Sequence, residues 1–209
     1  MTANPTAIEI LKALKARTNV LVSGPPSCGK TRLIQEVADA FQAAPASAAP
    51  PPRPTMAPQG GVAIPARLPA ARGDTADERP SPDRTGRHVE RIAFAANTRA
   101  RDFTTAFVPS VDGGLAFQVG KGALIRANQA ALEGKASLLV IDELNRGPAV
   151  QLFGDAIVAM EPDKRLQADD RRGSNSWPIH ILDDKGQSVE MYLSPHLYIL
   201  ASMNQADVS

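Results

Sequence analysis

Residues 24–31 read GPPSCGKT, which matches the phosphate-binding loop (Walker A) pattern G-x-x-x-x-G-K-[ST] at every fixed position. An apolar run, residues 19–23 (NVLVS), precedes the loop, and residues 32–41 follow it with apolar side chains at helical spacing. A strand, a glycine loop and a helix in this order are the context in which the pattern binds phosphate. The sequence therefore predicts that the chain binds a nucleoside triphosphate. The alternative, a glycine-rich turn that carries Lys-Thr by chance, is disfavoured by the flanking strand and helix.

The residue types in the loop explain how phosphate would be bound. Two glycines, Gly24 and Gly29, let the backbone curve so that successive N–H groups point into one concavity, next to the positive end of the following helix. Lys30 can place its ammonium on the β- and γ-phosphates, and the Thr31 hydroxyl can bind Mg²⁺. The candidate nucleotide-binding residues are Gly24, Pro25, Pro26, Ser27, Cys28, Gly29, Lys30, Thr31 and Arg32.

A pair of acidic residues, Asp142 and Glu143, follows a second apolar run at residues 137–141 (SLLVI). Such a run is typical of a parallel strand that is covered on both faces. In combination with the phosphate-binding loop, Asp142 is predicted to bind Mg²⁺, and Glu143 is predicted to act as the general base that activates water. The alternative is that Glu143 only caps the strand or pairs with a cation, in a chain that binds nucleotide without hydrolysing it.

Composition limits the class of protein. The 209 residues suffice for one α/β domain with a core, and a formal net charge of +1 gives no reason to expect tight binding of nucleic acid. A single cysteine, Cys28, excludes an internal disulfide and fits a reducing compartment. No run approaches the ~18 apolar residues of a membrane span. We therefore expect a cytoplasmic protein without a membrane partner.

The order of elements predicts an α/β fold with a parallel sheet. Ten of the eighteen prolines lie in residues 45–82, and we expect residues 43–87 to form a flexible insertion in one nucleotide-binding core that spans the chain. Helices are predicted at residues 7–15, 32–41, 101–107, 122–133 and 148–160. Strands are predicted at residues 19–23, 88–95, 137–141 and 197–201, with a β-hairpin formed by residues 177–182 and 188–193.

The motifs together resemble a known family. Residues 141–147 (IDELNRG), 120–126 (GKGALIR), 160–165 (MEPDKR) and 203–207 (MNQAD) are similar to the AAA+ ATPases, within the dynein-related/MoxR-like group and close to the McrB-type restriction GTPases. The resemblance implies a P-loop NTPase core of three αβα layers with an inserted hairpin. It implies that Asn204 is catalytic and orients the attacking water, in addition to the catalytic roles predicted for Glu143 and Lys30; the alternative is that Asn204 is an ordinary residue at the end of a strand. It also implies that Asn145 and Arg146 lie near a subunit boundary, although a plain ion pair is an equal alternative for Arg146.

The same resemblance implies cofactors and partners. These are ATP (or GTP) with Mg²⁺, a homo-oligomeric ring such as a hexamer, an effector protein such as a nuclease, and DNA only indirectly. Residues 204–208 read NQADV where the restriction GTPases continue NTADR, so we favour ATP and keep GTP open. The sequence stops at Ser209, so we expect either a fragment or truncated reading of a longer protein, or a partner that supplies the further strand, arginine finger and helical lid of a full module. We therefore expect weak hydrolysis by these residues alone, because an arginine finger contributes about 10³–10⁵ in rate in related enzymes.

Two other functions fit the same loop. One is a nucleotide-gated binding module in which the γ-phosphate orders a loop and hydrolysis is vestigial. The other is a small-molecule kinase, which is disfavoured because Glu143 beside Asp142 suits the activation of water.

Overall fold

A computed structural model describes residues 4–44, 86–109 and 117–205 of the chain. The elements of these ranges, in chain order, are α1 (Pro5–Arg17), β1 (Asn19–Gly24), α2 (Lys30–Ala43), β2 (Gly86–Ala93), α3 (Ala100–Phe103), β3 (Thr105–Pro109), β4 (Phe117–Lys121), α4 (Ala123–Leu132), β5 (Lys135–Asp142), α5 (Ala149–Phe153), α6 (Ala156–Ala159), β6 (Ile179–Leu182), β7 (Ser188–Met191) and β8 (Leu197–Asn204).

The main sheet is parallel and has the strand order β1-β8-β5-β2. Its register places Gly24 of β1 opposite Asn204 of β8, and Ile141 of β5 opposite Ala201 of β8. The last residues of these three strands therefore lie at one edge of the sheet, where ligands bind in open α/β folds. The predicted α/β fold with a parallel sheet is confirmed.

Helices cover both faces of this sheet, as the apolar run of β5 predicts. Alternate side chains of a strand point to opposite faces. Leu138 of β5 packs in a cluster with Leu14 of α1 and Val37 of α2. Its neighbour Leu139 packs in the other cluster, with Leu124 of α4. The result is the predicted αβα arrangement of three layers, with the core divided by the sheet.

Two antiparallel hairpins, β3–β4 and β6–β7, accompany the main sheet. The second hairpin is the predicted one. The first differs from the helix predicted at residues 101–107, and that prediction is wrong for its second half. Helix α3 ends at Phe103, which is fully buried, and β3 follows with Phe107 half exposed. The alternation of exposed and less exposed residues along β3 is typical of a paired strand. Its partner, β4, has few apolar residues, so the sequence of β4 does not indicate a strand.

The predicted helix at residues 148–160 is divided into α5 and α6. Gly154 lies between them with φ 47° and ψ −128°, a conformation that only glycine adopts readily. Val150 of α5 and Ile157 of α6, on the two sides of this break, are both exposed.

The predicted insertion, residues 43–87, lies outside the described residues except at its ends. Residues 43–44 belong to α2 and its C-cap, and residues 86–87 begin β2. Within the described ranges, no helix is both long and apolar enough to cross a membrane.

Gly122, which precedes α4, is expected to tolerate no side chain. A Cβ there would lie 2.3 Å from the carbonyl carbon of Phe103 and 2.6 Å from the amide nitrogen of Thr104. The φ of −76° and ψ of 178° of Gly122 suit any residue. Any loss of stability in an alanine variant therefore comes from the contact of its Cβ with the backbone of Phe103 and Thr104. We predict that Gly122→Ala lowers the free energy of unfolding by about 3 kcal/mol, measured by urea denaturation. Gly86→Ala is the control, because among the described residues its Cβ would meet nothing closer than Lys135 Cγ at 3.7 Å. Equal unfolding midpoints for the two variants would contradict this prediction.

Candidate functional site

The loop between β1 and α2 has the backbone of an anion-binding turn. Ser27 (φ 60°) and Gly29 (φ 88°) are both left-handed, and the glycine adopts this conformation without steric cost. Gly24 begins the loop, where a Cβ would lie 3.3 Å from the Cys28 sulfur. Helix α2 begins at Lys30 with no side-chain cap, so its first N–H groups are open to a ligand.

The ammonium of Lys30 folds back over this loop. Its Nζ donates hydrogen bonds to the carbonyl oxygens of Gly24 (2.8 Å) and Pro25 (2.6 Å). From this position the ammonium can transfer its hydrogen bonds to phosphate oxygens held by the loop. Cys28 is exposed, and its sulfur lies 3.7 Å from the same Nζ.

A cleft of about 380 Å³ lies beside the loop, between the start of α1 and the start of α2. Arg32 lines this cleft with an exposed side chain and pairs with Glu36 across one helical turn, at 3.1 Å. Hydrogen bonds from Asn4 and then from Arg32 lower the pKa of Glu36. Arg32 is therefore at the rim of the cleft, on the surface, and is already engaged by a carboxylate.

The acidic strand end faces the first turn of α2. The Thr31 hydroxyl donates to Asp142 Oδ2 at 3.3 Å, although the two residues are 111 positions apart in the sequence. The other carboxylate oxygen, Oδ1, accepts hydrogen bonds from the Ser202 hydroxyl and from the Glu143 amide. The structure thus brings together the two residues predicted to bind the metal.

Glu143 has a left-handed backbone (φ 55°, ψ 47°), which costs a residue with a side chain about 1–3 kcal/mol. Its N–H donates to the Ser202 hydroxyl at 3.0 Å, which stabilises this conformation. Its carboxylate Oε2 accepts from Asn204 Nδ2 at 2.6 Å and pairs with Arg146 Nε at 3.1 Å. The candidate base and the candidate water-orienting residue are therefore in direct contact.

Asn204 is positioned by the sheet and by a neighbouring amide. It ends β8, the strand between β1 and β5, and it is 5% exposed. The Asn145 side chain exchanges two hydrogen bonds of 3.2 Å with the Asn204 backbone, donating to its carbonyl and accepting from its N–H. These two hydrogen bonds hold the backbone of Asn204 in place after β5 has ended at Asp142. They therefore fix the position from which the Asn204 side chain extends.

The structure shows one polar contact residue that the sequence analysis overlooked, Ser202. It is buried, lies two residues before Asn204 on β8, and contacts both acidic residues. Because strand side chains alternate, two polar residues spaced by two in an otherwise apolar strand share a face. The spacing of Ser202 and Asn204 is the feature of the sequence that indicates a shared position at the candidate site.

Arg165, which belongs to the motif at residues 160–165, lies outside this site. It is 3% exposed and donates to the carbonyls of Met160 and Leu197 and to Asn19 Oδ1, at the amino ends of β1 and β8. Burial lowers the pKa of its guanidinium to about 10, so it stays cationic at neutral pH. Its hydrogen bonds connect the first residues of β1 and β8, so its role is structural.

The donor set at Thr31 and Asp142 fits Mg²⁺. Among the described residues there is no cluster of three or more His, Cys, Asp or Glu side chains suited to a metal ion. Mg²⁺ does not require one, since it is usually bound through one or two carboxylates together with water and substrate phosphates. A hydroxyl and a carboxylate beside a phosphate-binding loop supply hard oxygen ligands of that kind.

Two of three comparisons with known proteins found similar chains. No family model matches the chain. The chain is 26% identical over 207 residues to the Type IV methyl-directed restriction enzyme EcoKMcrB subunit of Escherichia coli (strain K12), an alignment that covers 98% of this chain and 34% of that protein. The chain therefore spans about a third of the length of this relative. A crystal structure of a protein proposed to be an ATPase, from Cytophaga hutchinsonii ATCC 33406, matches all of this chain and 41% of its own, with 15% identity and a TM-score of 0.44. The alignment along nearly the whole chain confirms the resemblance that the motifs indicated, and the chain is similar to AAA+ ATPases close to the McrB subunit.

Proposed function

We propose that the chain is an ATP-binding AAA+ core that cleaves the β–γ phosphoanhydride bond with Mg²⁺. The observation that carries this proposal is the hydrogen bond between Thr31 and Asp142, which joins the phosphate-binding loop to the acidic strand end. A loop alone supports binding only. A loop whose threonine faces a carboxylate supports a metal-bound triphosphate whose γ-phosphate lies toward the residues that follow Asp142.

The proposed roles follow from the contacts. The loop N–H groups and Lys30 bind the phosphates, and Thr31 and Asp142 hold Mg²⁺, which neutralises phosphate charge when bound. Glu143 accepts a proton from the attacking water, and Asn204 orients that water from its position 2.6 Å from the same carboxylate. The Arg146 side chain competes for this carboxylate, so we propose that it moves aside when the base acts.

The nucleotide is proposed to be ATP, with GTP as the alternative. Its nucleoside would lie in the cleft beside the loop, which is bordered by Asn4, Val22 and Leu33. Competition between unlabelled ATP and GTP for a labelled triphosphate bound to the chain tests this choice. We expect ATP to displace the label at a lower concentration than GTP. The reverse order would assign the chain to GTP, as in a McrB-like restriction motor subunit.

A nucleotide-gated binding module is the second candidate, and two contacts of Glu143 favour it. The Glu143 carboxylate is engaged by both Arg146 and Asn204, which is the arrangement expected where the glutamate has a structural task. In that case nucleotide binding would rearrange the residues after Asp142 without turnover. Equal rates of phosphate release from the chain and its Glu143→Gln variant would support this candidate.

We further propose a cytoplasmic protein that acts as a ring, such as a hexamer, with an effector protein. The relative's name, a restriction enzyme subunit, supports a nuclease as that effector, with DNA contacted indirectly. Light scattering of the chain with and without Mg²⁺ and a non-hydrolysable triphosphate tests the assembly. We predict a larger mass with nucleotide, because the exposed site edge around Arg146 would then face a neighbour. An unchanged monomer mass at high protein concentration would count against the ring.

A further inference from the structure

Ser202 lies between the two acidic residues of the candidate site. Its hydroxyl donates to Asp142 Oδ1 and accepts from the Glu143 N–H at 3.0 Å. A serine hydroxyl has one donor and two acceptor positions, so a single group can serve both neighbours at once. The side chain is 1% exposed, and water therefore cannot easily replace it.

The first contact fixes the orientation of the Asp142 carboxylate. Oδ1 is engaged by Ser202 and, at 3.1 Å, by the Glu143 amide. The other oxygen, Oδ2, is thereby directed toward α2, where it lies 3.3 Å from the Thr31 hydroxyl. Without the serine donor, only the Glu143 amide would hold Oδ1, and the carboxylate would be less restrained against rotation away from the first turn of α2.

The second contact fixes the direction in which the chain leaves β5. The Glu143 N–H donates to the Ser202 hydroxyl, which stabilises the left-handed backbone of Glu143, and the Glu143 carboxylate lies 2.6 Å from Asn204 Nδ2. Strand β8 thus contacts Glu143 through two residues. Ser202 binds the backbone N–H of Glu143, and Asn204 binds its carboxylate. The two residues are spaced by two positions and share one face of the strand.

We propose that Ser202 is a positioning residue that sets the Mg²⁺ affinity of Asp142. The inference rests on the proposed function, since it assumes that Thr31 and Asp142 hold the metal of a bound triphosphate. Side chains that orient metal ligands without touching the metal typically change metal affinity about 10–100-fold when they are removed.

The test is a Mg²⁺ titration of nucleotide binding by the 209-residue chain, read by the fluorescence of a labelled, non-hydrolysable triphosphate. We expect Ser202→Ala to raise the Mg²⁺ concentration for half-maximal binding about 10-fold. Affinity for the same nucleotide in a chelator should stay unchanged, because the loop and Lys30 are intact. Ser202→Thr retains the hydroxyl and should need about as much Mg²⁺ as the unmodified chain.

Ser137→Ala is the matched control. Ser137 is fully buried on the neighbouring strand β5, and its hydroxyl has no hydrogen-bond partner among the described residues. The Ser137→Ala variant also loses one hydroxyl group, but near the start of β5 and away from the candidate site. The Mg²⁺ concentration that it needs for half-maximal binding should therefore not change. Thermal unfolding of each variant reports whether the fold is retained.

Three results would overturn the inference while leaving the proposed function standing. They are an unchanged Mg²⁺ requirement in Ser202→Ala, an equal shift in Ser137→Ala, and a Ser202→Thr variant that behaves like Ser202→Ala. Failure of the unmodified chain to bind the labelled triphosphate at any Mg²⁺ concentration would instead overturn the proposed function, and this inference with it.

Discussion

Replacing Glu143 with glutamine is expected to lower the rate of phosphate release about 10²–10⁴-fold, the usual contribution of a general base. The amide has nearly the same shape as the carboxylate and can still accept the hydrogen bond from Asn204. It cannot take a proton from water, so the chemical step slows while the binding of nucleotide persists. Single-turnover release of inorganic phosphate, measured at saturating nucleotide and Mg²⁺, gives the ratio of the two rates.

Glu133→Gln provides the control for this variant. Glu133 is an exposed residue at the end of α4, and its replacement makes the same change in net charge. Its rate should equal that of the unmodified chain. If Glu143→Gln also released phosphate at the unmodified rate, Glu143 would not be the base, and the nucleotide-gated module would become the better account.

Replacing Lys30 with methionine is expected to weaken triphosphate binding at least about 100-fold. The ammonium is proposed to exchange its two hydrogen bonds to Gly24 and Pro25 for bonds to phosphate oxygens. Hydrogen bonds to charged groups contribute about 1.5–3 kcal/mol each, and about 1.4 kcal/mol corresponds to a tenfold change in affinity. The loss of two such bonds therefore predicts an effect of this size, measured by equilibrium binding of a labelled triphosphate.

Lys185→Met tests whether the loss comes from the site or from net charge. Lys185 is exposed in the turn of the β6–β7 hairpin, and its removal changes the charge of the chain equally. We expect this variant to bind with the affinity of the unmodified chain. Similar losses in both lysine variants would show that long-range charge, and not the Lys30 contacts, governs binding.

The sequence predicts the parts of the candidate site that consist of local patterns. The loop at residues 24–31 and the acidic pair after β5 are recognisable because each requires a particular run of neighbouring residues. Their meeting point was predictable as well, since parallel strands place their carboxyl ends at one edge of a sheet. The hydrogen bond between Thr31 and Asp142 joins the two motifs at that edge.

Features that depend on distant partners were not predictable in the same way. Strand β3 reads as the end of a helix until β4 is known to pair with it, and Gly154 breaks a helix whose apolar spacing continues through it. Ser202 has an ordinary identity, and its importance comes from two neighbours about 60 positions earlier in the sequence. Pairing between strands that are distant in the sequence, which no local run encodes, decides the position of β3 and the contacts of Ser202.

The central claim is that one triphosphate binds per chain, with Mg²⁺, between the loop and the acidic strand end. Calorimetric titration of the chain with a non-hydrolysable ATP analogue tests it most directly, with the GTP analogue alongside. The account predicts that the ATP analogue binds saturably, with one site per chain, and binds more weakly when a chelator removes Mg²⁺. It predicts no detectable binding of the analogue to the Lys30→Met variant. Absence of binding with both analogues, or equal binding by the Lys30→Met variant, would contradict it.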